Sequence, residues 1–152
     1  MLYQSLTERL LNQHTVITAI VSSLNNEKLD CRPETDKWSI HDHIVHLATY
    51  QPVFLGRLRQ ILSEDEPFFN RYVADVDENF IALRNMPVTE LLAKISDDRK
   101  DIVNLVLSLD ETGHRRTGRH LKYGNLTVLE WTEFFLLHEA HHLFAIFQLA
   151  HS

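Results

Sequence analysis

The 152-residue chain is short of the residues that break helices, with only four glycines and four prolines. So few breakers leave little room for hairpins, and long helices become the expectation. It has one cysteine, Cys31, which excludes an internal disulfide and gives no sign of an oxidising compartment. Nowhere do about 18 uncharged apolar residues run together, so no membrane-spanning helix is expected. The opening MLYQSLTERLLNQ carries an acid and amides where a signal peptide would be apolar. Positive charge is also scarce: 15 Lys and Arg stand against 21 Asp and Glu, a formal −6. That balance argues against a nucleic-acid or anionic-membrane surface. What remains is a cytoplasmic protein forming one domain over 1–152, large enough to bury about 70% of its unfolded surface.

Four stretches carry the 3.6-residue rhythm of amphipathic helices. The first runs from about Tyr3 to Asn25, its stripe made of Leu6, Leu10, Leu11, Ile17, Ile20, Val21 and Leu24. The second, WSIHDHIVHLATYQPVFLGRLRQILS, has Ser39 as N-cap and Pro52 inside it, where a kink is expected. The third runs from about Val88 to Asp110, with Leu91, Leu92, Ile95, Ile102, Val103, Val106 and Leu107 inward. The last opens on the capping box Thr127 and Glu130 and runs to about Leu149. Between the second and third, DVDENFIALRN reads as a short extra helix capped by Asp75 or Asp77. ETGHRRTGRHLKYGN reads as a connecting loop. The fold expected is an all-α four-helix bundle without strands.

LLHEAHHL, Leu136 to Leu143, satisfies H-E-x-x-H, the helical signature of zinc proteases. Such a protease needs a third ligand downstream. Only ten residues follow His142 in this sequence, and the extended motif would need Gly at Ala145 and His at Gln148. A protease cleft also uses a sheet edge to hold the peptide. The protease reading is therefore set aside.

With about 100° per residue, His142 lies about 40° from His138, stacked one turn away. Both fall in the middle of the apolar stripe with Trp131 and Phe135, and Glu139 falls on its shoulder. Two imidazoles buried side by side need partners, because an unpaired buried polar group costs roughly 1–3 kcal/mol. A divalent metal meets that need for both, and hydrogen bonds across the bundle are the competing explanation. A third ligand must come from another helix, where His41, His43 and His46 are available. Relative to the stripe of Ile40, Ile44, Leu47, Leu55 and Leu58, periodicity slightly favours His43 and leaves His46 open.

KWSIHDHIVHLA on the second helix, GNLTVLEW at the entry to the last, and HEAHHLFAIFQL within it are the informative segments. Together they resemble the DinB/YfiT-like superfamily of small metalloenzymes. The resemblance implies a four-helix bundle with three histidines around one divalent metal. By position it makes the histidine of VHLA, His46, the early ligand, with His138 and His142 as the other two. Members often read HHRGQI where this chain reads HHLFAIFQL, so the role of that arginine has no counterpart here. The family includes transferases of low-molecular-weight thiols, so the resemblance implies a small-molecule substrate, handled by hydrolysis or thiol transfer.

Three neutral imidazoles leave a coordination position open, the arrangement of a reactive metal. Zinc suits three nitrogens best, and imidazole also suits nickel, manganese and iron. Asp42, Glu133 or Glu139 is placed by helical geometry to hold the second nitrogen of a ligand imidazole, although Asp42 and Glu133 read first as solvated surface carboxylates. The basic loop HRRTGRHLKY, with Arg115, Arg116, Arg119 and Lys122, reads first as a solvated loop pairing with acidic surface helices; the alternative is that it overhangs the metal and attracts a carboxylate or phosphate. Glu139 with His142 is one Glu-x-x-His; a di-metal carboxylate centre needs a second, and the other long helices lack it. Phe134, Leu136 and Phe147 lie off the main stripe and suggest a face for a second copy in a homodimer. The competing function is a non-catalytic bundle with a structural or vestigial metal site.

Overall fold

A computed structural model of the chain describes residues 2–152. The first helical leg is broken rather than continuous: α1 (Gln4–Asn12), a 3-10 turn (Gln13–Thr15), then α2 (Val16–Val21). A short helix α3 (Asn26–Asp30) follows. The three other long helices are α4 (Ile40–Ser63), α6 (Val88–Ser108) and α8 (Val128–Ala150), with short α5 (Glu78–Leu83) and α7 (Glu111–Arg115) between them. The fold is a four-helix bundle built on α4, which packs chiefly against α6 and α8.

Local signals set the helix starts. Ser39 accepts from the Asp42 backbone N–H at 3.0 Å, and the Asp42 carboxylate accepts from Ser39 N–H at 3.0 Å. Thr127 and Glu130 close the same reciprocal pair on α8. Such a box satisfies two of the four donors that a helix start leaves unpaired. Asp77 rather than Asp75 caps the short α5, and Asp75 sits in a 3-10 turn (Ala74–Val76). α4 runs unbroken through Pro52, whose ring is on the exposed side.

α4 is buried on every side from Ile44 to Gln51, eight residues spanning more than two turns. The apolar core falls into two clusters. One gathers Leu10, Phe54, Ile102 and Phe135; the other gathers Ile17, Leu47, Ile95 and Leu143. Between them, one turn from each, lies a polar layer of Gln13, Gln51, Arg99 and Glu139. Each fully buried Leu, Ile or Phe contributes roughly 1.5–3 kcal/mol. Leu11 and Leu107, expected inward, are 43% and 39% exposed.

The expected loop before α8 is instead a hairpin. Strand β2 (Thr117–His120) pairs antiparallel with β3 (Gly124–Thr127), and parallel with a two-residue strand β1 (Phe68–Phe69). The segments have no alternating apolar pattern, so tertiary contact must hold them. A Cβ at Gly118 would lie 2.7 Å from Ile61 and 2.8 Å from Phe69, so only glycine lets β2 sit this close to α4. Gly124, at φ +74, makes the turn. The Trp131 indole N–H donates to Gly118 O at 3.0 Å and ties the hairpin to α8.

Candidate metal centre

Adjacent residues of α8, His138 and Glu139, lead to opposite places. Glu139 is 1% exposed and paired with Arg99, also 1% exposed. The guanidinium donates further to Gln51 Oε1 at 3.0 Å and to Leu10 O at 2.9 Å. Gln13 Nε2 donates to Glu139 Oε1 at 3.0 Å and to Leu136 O at 2.9 Å. All four legs of the bundle therefore meet in one satisfied polar layer. Burial raises the Glu139 pKa, against the pull of Arg99, and burial likewise lowers that of Arg99. The pair remains ionic, because the guanidinium and the two amides all point donors at the carboxylate. The glutamate of H-E-x-x-H is thus not beside the histidines, which removes the base a zinc protease requires. It also corrects the expected rotation of α8: Glu139 is in the middle of the buried face and His138 and His142 are on its half-buried shoulder. Sequence periodicity could not see this, because Arg99 reads as a surface residue.

On that shoulder three imidazoles converge. His46 Nε2 lies 3.1 Å from His138 Nε2, which lies 3.2 Å from His142 Nε2. One nitrogen from each of the three falls within 4.8 Å of the others. The expected His46, His138 and His142 are therefore brought together. His43, which periodicity favoured, is not among the converging nitrogens. Its Nδ1 is instead 2.9 Å from Nδ1 of His142, behind the cluster. Periodicity failed here because α4 buries its whole circumference.

Burial pushes all three imidazoles far below the usual histidine value. His46 falls to about 3 and His142 to about 2, each helped by the neighbouring histidines. His138 falls to about 4, with His141 and Arg57 adding to burial. At neutral pH all are uncharged, the form that ligates metal. Nitrogens about 2.0–2.1 Å from one cation lie roughly 2.8–3.4 Å apart, from octahedral to tetrahedral angles. The observed 3.1 and 3.2 Å fit that spacing. Without a cation, Nε2 of His138, with one proton or one lone pair to offer, cannot pair fully with both neighbouring nitrogens.

The carboxylates that helical geometry offered as outer partners are engaged elsewhere. Asp42 is engaged with Ser39, with Arg32 at 3.0 Å and with Arg84 at 3.7 Å. Glu133 is engaged with Arg9 and Tyr3. No carboxylate among the described residues is hydrogen-bonded to the three imidazoles. Nδ1 of His46 and of His138 are buried without a partner. Aromatic rings hold the cluster instead: Trp38 is 5.2 Å from His46 and 5.9 Å from His142, Tyr72 is 5.7 Å from His46, and Tyr50 is 4.9 Å from His138.

The three histidines open into a cavity of about 680 Å³, within the usual range for small-molecule sites. Of the four basic side chains of that loop only Lys122 lines it, with its neighbours His120, Leu121 and Tyr123. Arg115 pairs with Glu111, and Arg116 donates to Ile61 O and Glu64 O. Arg57 and Arg71 line the cavity too, and no motif pointed to them. Other histidines have structural partners, such as His41 at Met86 O and His114 at Val106 O, both 2.8 Å. Cys31 is exposed and does not line the cavity. Leu136, expected on an outer face, is fully buried, whereas Leu137, Phe144 and Phe147 are exposed.

Bundle and site together define a helical protein with a three-histidine cluster open to a cavity. A profile of the DinB superfamily matches residues 9–146, and the chain belongs to that superfamily. A protein of Oceanobacillus iheyensis, provisionally named a metal-dependent hydrolase, is 29% identical over 126 residues, 81% of this chain and 71% of the relative. YfiT from Bacillus subtilis, described as a probable metal-dependent hydrolase with an unusual four-helix bundle topology, superimposes with TM-score 0.83. That match covers 97% of this chain and 85% of YfiT at 16% identity, and so speaks to the fold. No helix among the described residues is long and apolar enough to cross a membrane.

Proposed function

We propose that His46, His138 and His142 hold one divalent cation and that the protein is a metal-dependent enzyme acting on a small molecule, by hydrolysis first. The supporting observation is the convergence of three neutral Nε2 atoms, 3.1 and 3.2 Å apart, at the wall of an open cavity. Zinc suits this donor set best, and nickel, manganese and iron are the other candidates. A cation bound there lowers the pKa of a coordinated water or thiol and leaves a position open to it. The protein's own part is to keep the imidazoles neutral by burial, and to fix their directions with Trp38, Tyr50 and Tyr72. His43 adds a hydrogen bond: with His142 ligating through Nε2, its Nδ1–H donates to Nδ1 of His43.

Transfer of a low-molecular-weight thiol is the second reading. It is favoured by the engagement of Glu139 with Arg99, which leaves no carboxylate hydrogen-bonded to the cluster to act as base. A thiol, with an ordinary pKa near about 8.5, ionises beside a cation without such a base. Protein purified without chelator and assayed with ester and thiol panels tests both. Turnover that EDTA abolishes and one added divalent ion per chain restores is the expected result. A large fall in melting temperature with EDTA, but no turnover, would favour a structural or vestigial site. The reading places the protein in the cytoplasm as one domain over 1–152. A homodimer is a further part of the proposal, although of the face first offered for it Leu136 is buried and Phe147 exposed; a monomer in light scattering would dismiss it.

A further inference from the structure

The cavity has a second end. Arg57 lies eleven residues after His46 on α4, three turns along and on the same face. Side chains of a helix lean toward its N-terminus, and Arg57 leans back over the Tyr50 ring. Its guanidinium carbon is 6.0 Å from the centre of Tyr50, a ring that is itself 4.9 Å from His138. It also stands 5.3 Å from the Phe69 ring and 5.8 Å from Trp131. Two donors are used, to Tyr50 Oη at 3.2 Å and to Asn70 O at 3.0 Å. Both acceptors are neutral. No carboxylate among the described residues lies within ion-pair distance of Arg57, although the protein has six more acidic than basic residues.

A half-buried guanidinium held on aromatic faces and lacking a counter-charge is out of keeping with the rest of this chain. The other arginines that are not exposed, Arg9, Arg84 and Arg99, each have an acidic partner, whereas those without one, such as Arg71 and Arg116, are exposed. The cavity adds Lys122 and Arg71, both exposed and neither in an ion pair, against one acid, the exposed Asp75. The field is felt inside: Arg57 and Lys122 add to burial in lowering the His120 pKa. The fixed fork of a guanidinium matches a carboxylate through two parallel hydrogen bonds.

We propose that Arg57 is the anchor for an anionic group, a carboxylate, at the end of the substrate remote from the metal, with Lys122 supplying longer-range attraction. The substrate class is then a small molecule with a metal-directed group at one end and a carboxylate at the other, its middle lying along Tyr50. This rests on the metal reading above, and the test separates the two.

Cobalt(II) is loaded into the protein and its visible spectrum is followed during titration with hydroxamates. Acetohydroxamate reports whether the ion is open to a ligand. The monohydroxamates of succinic, adipic and suberic acid, each with a neutral alkyl hydroxamate of matching length, report the value of the carboxylate. At the best length the charged probe is expected to bind about tenfold to a hundredfold tighter than its neutral partner. Arg57→Gln is expected to bring the two within about threefold while leaving the neutral probe unchanged, and Arg57→Met serves if the glutamine variant does not fold. Equal binding of charged and neutral probes at every length, or a preference untouched in the variants, overturns the anchor. No spectral change with any hydroxamate overturns the metal reading, and this one with it.

Discussion

Two polar clusters share this bundle a single residue apart on α8, and they are built on opposite terms. The Arg99–Glu139 layer is closed: donors and acceptors from four legs are matched, and nothing opens onto a cavity. The histidine cluster is left incomplete, with two orphaned Nδ1 atoms, converging lone pairs and a cavity in front. A buried charge pair is weak evidence for net stability, because desolvation consumes the Coulomb gain. Its use here is positional. It ties the two apolar cores in register, and it fixes the rotation of α8 so that His138 and His142 emerge together on the next face. The first cluster holds shape, and the second is shaped for something absent from the chain itself.

That contrast is sharpest when one partner of the closed layer is removed. Glu139→Ala leaves an uncompensated guanidinium in the core, and chemical denaturation is expected to show a loss of about 3–5 kcal/mol. The paired change Arg99→Met with Glu139→Leu should recover most of it, since no unpaired charge remains. In the open cluster the effects should appear in metal affinity instead. His43→Ala is expected to weaken cobalt or zinc binding about tenfold to a hundredfold in a chelator competition, with stability of the metal-free protein little changed.

The smallest effect is expected at acid pH. His14 lies against the closed layer, its pKa lowered to about 4 by burial and then by Arg99. The unfolded chain therefore takes up this proton near pH 6.5, before the folded one does. Its contribution is present above pH 6.5 and is lost as pH falls towards 4. His14→Gln should flatten the fall in unfolding free energy over that window, by roughly 1–2 kcal/mol after discounting for solvent screening of this part-exposed ring, as read by chemical denaturation at a series of pH values. An unchanged acid limb would dissociate His14 from the layer.

Much of the scaffold was legible because its signals are local. Ser39 and the Thr127–Glu130 box announce their helices, and four apolar stripes announce a bundle. The choice of His46 over His43 was not local. α4 is buried all round, so periodicity carried no contrast, and only the resemblance in VHLA selected the histidine that the structure brings to the cluster. The rotation of α8 was misread because a buried Glu–Arg pair looks, in sequence, like two surface charges. The hairpin was missed because its strands are four residues long and owe their place to Gly118 against Ile61 and Phe69. Arg57 was invisible for a similar reason: an arginine on an amphipathic helix reads as solvated until the rings beneath it are seen.

The most direct test of the central claim is anomalous scattering at metal absorption edges from a crystal of protein purified without chelator. The account predicts one peak per chain within about 2.0–2.3 Å of Nε2 of His46, His138 and His142, and no peak in His142→Ala. A fully occupied crystal with no anomalous peak there, or with a peak elsewhere that ignores these three imidazoles, would contradict it.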